Sequence, residues 1–498
     1  MRRAAPLLAL LLGTAACTVG PDYKGAPDVA SAAGARGTFV RAGDPALTAG
    51  PGLARWWEGL GDPLLNALVD EAIAGSPSIE AAQARIREAR AKLDQGRADL
   101  FPSVAASAMY VYAQLPGTGL GSLTGGDSSE GDGSGSGSGG AGGNSALNFY
   151  NVGANVSWEP DLFGGKRRGV EAARATVEHR YADLADAQVS LSAQVAQSYV
   201  NLRDVEERSR LNARSSQLQH RALDLTRQRF AAGAASKLEV ERLQTQLAST
   251  DAQAIPLDAQ VALYKDALAV LTGRAPGELD ARLAAPAPVP LPPAQVPIGD
   301  PGTLIARRPD IRSAERALAA GTAQIGVKKA QALPGIKFSG ILGMGGTNPG
   351  DVVDPGNFSL LLMPQLSWSF LDFGRNAAAI REAKAQRDAA EAQYRQAVLE
   401  ALQDAEDSLA RFGATRRQLA QLLAAEQGAA RAAALNRQRY EAGTSSLIDQ
   451  LDIERQDLQA AIAAAQARAQ LTIDFIAVNK ALGLGWREAD EAAVQGTR

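Results

Sequence analysis

The chain has 498 residues, 46% of them hydrophobic, so it can bury a large core; aromatics are only 5%, which favours closely packed Ala- and Leu-rich helices over a bulky interior. The formal net charge is −3, and loss of Arg2 and Arg3 with a cleaved leader takes it to −5, so a polyanion such as nucleic acid gets no support as a partner. One cysteine and two histidines exclude an intramolecular disulfide and a Cys/His metal cluster.

Residues 1–16 read as a signal peptide: Arg2-Arg3, a short apolar stretch from Ala4 to Leu12, then small residues before Cys17. The apolar stretch is too short to span a membrane as a helix. The position of Cys17 directly after the small-residue run suits a lipoprotein, so a covalent lipid is expected there and no other cofactor; an ordinary signal residue is the alternative. Residues 17–75 are expected to form an extended Gly/Pro/Ala-rich lead and a first short helix. Asp62 is the N-cap of that helix and Pro63 its first residue.

The remainder is a duplication. Arg221–Gly233 (RALDLTRQRFAAG) and Arg431–Gly443 (RAAALNRQRYEAG) match at an offset of 210 residues, the distance from Gly233 to Gly443. The same offset relates Trp158 to Trp368, Gly164 to Gly374, Ser236 to Ser446 and Gly273 to Gly483. Repeat 1 is assigned to 76–273, a Pro-rich linker to 274–308, repeat 2 to 309–485 and a polar tail to 486–498. Each repeat reads helix, two strands, long helix, Gly turn, helix. Gly233 and Gly443 are expected at the tips of helical hairpins, because glycine just past a periodic run supplies the left-handed C′ residue.

In repeat 1 a solvated helix is expected over 81–100, strands over 103–113 and 150–158, and a Gly/Ser-rich loop over 117–144. Gly165–Arg229 then reads as one helix, roughly 97 Å long at 1.5 Å per residue. Val195, Tyr199 and Leu202 begin a 4,3 seam, continued in the second copy by Val398, Leu402, Ala405, Leu409, Phe412 and Leu419. A helix from Ser236 ends near Gly273. Repeat 2 gives strands over 336–344 and 358–370, a long helix over 375–440 and a helix over 446–482. The two shorter helices of each repeat together match the long one, so they are expected to stack end to end beside it.

Four alternating segments of this length suit tilted transmembrane strands, which need about 9–11 residues. Four strands cannot close a barrel, and an open edge in lipid leaves backbone groups unpaired. Other copies must complete it: two give eight strands, three give twelve. A soluble four-stranded sheet packed on helices is the alternative.

Cys17-Thr-Val-Gly-Pro-Asp-Tyr23, Trp56-Trp57 with Asp62-Pro63, Leu100-Phe-Pro-Ser103, Arg307-Arg-Pro-Asp-Ile-Arg312, Leu371-Asp-Phe-Gly374 and Tyr440-Glu-Ala-Gly443 carry a resemblance. They resemble the TolC/OprM-type outer-membrane factors of RND efflux systems, and most closely the NodT-type lipoproteins. The resemblance implies a mainly α fold with a membrane β-barrel portion: a homotrimeric 12-strand β-barrel continuous with a long periplasmic α-helical barrel. It implies a lipid-anchored, outer-membrane-spanning exit channel for small molecules, not an enzyme. Its partners would be other copies of itself, outer-membrane lipid, a periplasmic adaptor and an inner-membrane RND pump. A type I-like protein-secretion duct of the same fold and a pore-free coiled-coil lipoprotein are the competing readings.

His179 and His220 both read as residues of polar helix surface. Asp449 and Asp452, spaced i,i+3 one turn beyond Gly443, share a helix face. The resemblance places an acidic periplasmic constriction at these two positions and adds Tyr440 and Glu239 to the tip contacts of the closed gate. Two such carboxylates at about 6 Å repel by about 3 kcal/mol at an effective dielectric near 20. Plain helix-surface charge is the alternative for the pair.

Overall fold

In a computed structural model of the chain, residues 18–115 and 145–486 are described. The leader, Cys17, the Gly/Ser loop and residues 487–498 of the tail lie outside them. The chain divides into two compact units. Of the described residues, one holds 18–23, 91–115, 145–173 and 321–386; the other holds 24–90, 174–320 and 387–486.

The first unit is built on one antiparallel sheet. Strands β2 (Ser103–Leu115), β3 (Ser145–Trp158), β5 (Gly335–Gly346) and β6 (Phe358–Ser367) lie in the order β2-β3-β5-β6. Tyr110 pairs with Tyr150 across β2 and β3, their rings stacked at 4.8 Å, and Trp158 pairs with Phe338 across β3 and β5. Strands β2 and β6 are the edges. Leu360 and Leu361 point to opposite faces of β6, yet both are more than half exposed, so neither face of that strand is covered within the protomer. The last strand ends at Ser367, short of the expected Phe370. Beyond it the chain turns through Phe373 and Gly374, both with left-handed backbone, before the next helix.

The N-terminal residues lie against this unit. The Val19 N–H donates to the Phe163 carbonyl at 3.0 Å, and Asp22 pairs with the buried Arg168.

In the second unit the lead is not merely extended. It carries α1 (Ser31–Arg36) and β1 (Leu47–Thr48), which pairs in parallel with β4 (Val296–Pro297) of the linker. The Glu406 carboxylate accepts the Val40 and Arg41 N–H groups at 2.8 Å each, and buried Asp44 takes Arg416. Linker residues 274–303 likewise hold structure. Leu279 and Leu283 are buried, and Asp300 caps α6 (Pro301–Arg307) through the Thr303 N–H.

Helix α2 (Pro63–Gly75) starts as its sequence dictates, Asp62 Oδ1 accepting the N–H groups of Leu64 and Leu65. The other Asp62 oxygen accepts the Tyr199 hydroxyl at 2.6 Å. Trp56 and Trp57 meet edge to face at 5.7 Å, and Trp56 meets Phe475 in the same way. Leu65, Leu68, Val195, Tyr199, Leu202, Leu268 and Leu283 complete a fully buried core around them.

Helix α3 (Pro77–Ala98) corrects the solvated reading. Ile79, Ala82, Ile86, Ala89 and Leu93 are buried at strict 3,4 spacing, a stripe masked in the sequence by intervening Arg and Ala.

The long helices are α4 (Gly165–Ala231) and α8 (Arg375–Glu441), with α7 (Pro309–Gln331) preceding the second strand pair. Their seams are buried as expected, except that Ala401 is fully buried where Leu402 was expected and Leu402 is only half-buried. Helices α5 (Lys237–Leu271) and α9 (Leu447–Ala481) return antiparallel, and α5 accommodates Pro256 in its interior. A cluster of Leu211, Leu458 and Ala465 joins α4 to α9. No helix among the described residues is long and apolar enough to cross a membrane.

The end-to-end stacking holds in both repeats. A Cβ on Gly273, after α5, would collide with the Gly75 carbonyl at the end of α2 and meet Pro77, the start of α3. A Cβ on Gly483, after α9, would lie 2.7 Å from Arg308 Cγ and 3.3 Å from Pro309, the start of α7. Arg308 closes the second joint. Its guanidinium donates to the Ala481 carbonyl at 2.7 Å and grips both Asp310 oxygens at 2.9 and 2.6 Å.

Candidate functional site

The two hairpin tips are built alike. Gly233 and Gly443 both have φ of 74°, and each closes a 5→2 and 6→1 pair of hydrogen bonds. In the first tip these are Gly233 N–H to Phe230 and Ala234 N–H to Arg229; in the second, Gly443 to Tyr440 and Thr444 to Arg439. Nothing lies within 4 Å of where a Cβ would stand on either glycine, so backbone conformation alone demands them. Ser236 and Ser446 then cap the returning helices. Ser236 forms a reciprocal box with Glu239, and Ser446 accepts the Asp449 N–H while its hydroxyl donates to the Asp449 carboxylate at 2.7 Å.

The candidate gate residues are therefore already engaged within one chain. Glu239 is held by its capping box. Asp449 is tied to Ser446. Asp452, one turn on, accepts from Arg455 at 2.6 Å and Gln456 at 3.1 Å, and the Arg455 bond holds its carboxyl below the usual range. Tyr440 is half-buried in the last turn of α8. Asp449 and Asp452 are both exposed, so their solvent-facing sides remain free to meet other copies or cations.

A buried polar cluster lies beside them that the sequence reading passed over. Asn436 and Gln450 bond across the hairpin at 2.8 Å, and Ser445 donates to Asn436 at 2.9 Å. Amides in a polar run look solvated. The available signal was phase: Gln450 stands three residues after Leu447 and eight before Leu458, both buried.

His179 also departs from the expected solvated surface. Its Nδ1 lies 2.8 Å from the Ser313 hydroxyl, which donates to Asp183 at 2.7 Å. His220 stays on exposed surface beside Asp251.

The second functional feature is the uncovered sheet. Phe358, Leu360, Leu362 and Leu366 on β6 are each at least 60% exposed, and Val104, Tyr110 and Tyr112 on β2 at least 57%. Two apolar edge strands with unpaired backbone rows require an apolar medium and another strand.

Comparison with known proteins gives the same reading. The family model for outer membrane efflux protein matches residues 68–274 and 301–484. The chain is 28% identical to nodulation protein T of Rhizobium leguminosarum bv. trifolii, over 99% of each chain. It is also 28% identical to the antibiotic efflux pump outer membrane protein ArpC of Pseudomonas putida, over 98% of this chain and 96% of that one. Among solved structures, the outer-membrane channel OprN superposes with a TM-score of 0.83 at 33% identity, covering 94% of this chain and all of OprN. Matched across both repeats, the chain belongs to the outer membrane efflux protein family and is an outer-membrane channel of an efflux system.

Proposed function

We propose that three copies of the chain close a twelve-stranded barrel in the outer membrane. Their helical hairpins would line a periplasmic duct that receives small molecules from an adaptor and an inner-membrane RND pump. The observation that carries this reading is the four-stranded sheet with two exposed apolar edges, since each protomer supplies a third of a wall and cannot satisfy its own edge groups. Small-molecule cargo fits the antibiotic-efflux relative. Cys17, if acylated, adds a lipid anchor, and the protein has no catalytic role in this reading.

The periplasmic end is assigned to the second hairpin tip, with Asp449 and Asp452 as the acidic ring and Tyr440 and Glu239 as contacts of the closed state. Three copies converging there place six carboxylates around one mouth, which favours cations, resists anions and binds divalent ions. The test is single-channel recording in planar bilayers. The Asp449→Ala/Asp452→Ala double variant is expected to raise anion permeability and weaken block by divalent cations. Unchanged selectivity removes the gate assignment, and a detergent-solubilised protein that is monomeric and fully structured removes the barrel.

A further inference from the structure

The second hairpin carries a buried polar contact between its two helices near the tip. Asn436 on α8 and Gln450 on α9 are 6% and 5% exposed, and the Asn436 amide donates to Gln450 Oε1 at 2.8 Å. Neither side chain ends there. Ser445 of the turn donates to Asn436 Oδ1 at 2.9 Å, and Gln450 Nε2 donates to Glu454 at 2.7 Å, where Arg437 also arrives at 3.3 Å. The result is a continuous polar chain from the turn, through the helix–helix seam, to the surface.

The duplication supplies an internal control. At an offset of 210, Asn436 and Gln450 correspond to Thr226 and Val240 of the first hairpin. Thr226 returns its hydroxyl to Ala222 of its own helix at 2.9 Å, and Val240 has nothing polar to offer. The two tips share their glycine turn and serine cap, but at this height, among the described residues, only the second has a cross-helix bond; the first hairpin's lies farther from its turn, where the Thr250 hydroxyl of α5 donates to Gln219 of α4 at 3.0 Å.

An apolar seam tolerates axial slip, because a leucine that leaves one hole finds another. A buried amide pair does not, because slip leaves both amides desolvated and unpaired. Gln450 follows Asp449 directly and precedes Asp452 by two residues, so the register of Gln450 sets the height of both carboxylates along the helix.

We infer that Asn436 and Gln450 form a register clasp at the tip of the second hairpin, which holds the start of α9 against the end of α8. It thereby fixes the level of Asp449 and Asp452 at the channel mouth, a last step that rests on the proposed gate.

The test transplants the first hairpin's pair into the second, as Asn436→Thr/Gln450→Val, in the full-length protein. Because Thr and Val already pack in the first hairpin, folding should survive, and intact thermal unfolding checks this. Amide hydrogen exchange at residues 444–452 is expected to accelerate about tenfold while residues 234–242 stay unchanged. Resting conductance in planar bilayers should rise through more frequent opening. Ser445→Ala removes only the outer end of the polar chain and should accelerate exchange in the same direction by less. Unchanged exchange at the second tip in both variants overturns the clasp. Faster exchange with unchanged conductance supports the clasp and overturns the gate reading alone.

Discussion

Arg308 donates to the Ala481 carbonyl and holds both oxygens of Asp310, so one planar fork satisfies the end of α9 and the first turn of α7 together. A lysine has charge but no fork. Arg308→Lys is expected to destabilise the fold by about 2–3 kcal/mol, read as a lowered denaturant midpoint. Tyr199 has a similar double role with Asp62. Burial, then the bond to Asp62, pushes the Tyr199 hydroxyl up to about 12 from 10.0. Because the folded value lies above the unfolded one, this contribution to stability is complete below pH 10 and drains as pH rises from 10 to about 12. Tyr199→Phe should flatten that window in pH-dependent melts and cost about 1 kcal/mol below it. Asp62 was legible as an N-cap because the Asp-Pro pair is local. Its bond to Tyr199 spans 137 residues and leaves no trace in either neighbourhood.

Helix ends were legible for the same local reason. Helices α4, α5, α8 and α9 all stop before a glycine with φ between 70° and 76°, each with the same 6→1 bond across its end. Glycine at these points is required twice over only at the joints. Gly443→Ala meets open space and carries only left-handed strain, about 1 kcal/mol, whereas Gly483→Ala also drives a methyl group into Arg308. Thermal melts should rank Gly483→Ala well below Gly443→Ala. What was missed at this level had two causes. The stripe of α3 hid because two of its five positions are alanines and exposed arginines stand between the rest. Helix α6 hid in the proline cluster, although Asp300-Pro301 repeats the Asp62-Pro63 start signal.

An incomplete sheet was legible from the strand count alone, since four amphipathic strands cannot enclose a lumen. Its pairing order was not, because β3 and β5 come from different repeats. In the proposed trimer β6 of one protomer lies antiparallel to β2 of the next, which brings the Leu366 and Val104 ends together. A Val104→Cys/Leu366→Cys variant is therefore expected to give covalent multimers under oxidation on non-reducing gels. Monomer throughout would argue against edge-to-edge closure. The lead has a consequence of another kind. Its backbone is stapled to Glu406 across 366 residues of sequence, and Asp44 waits for Arg416 on the same late helix. During synthesis and export residues 40–44 thus lack these partners until Arg416 has crossed, long after residues 19–22 could meet Phe163 and Arg168, so this part of the lead is among the last to settle.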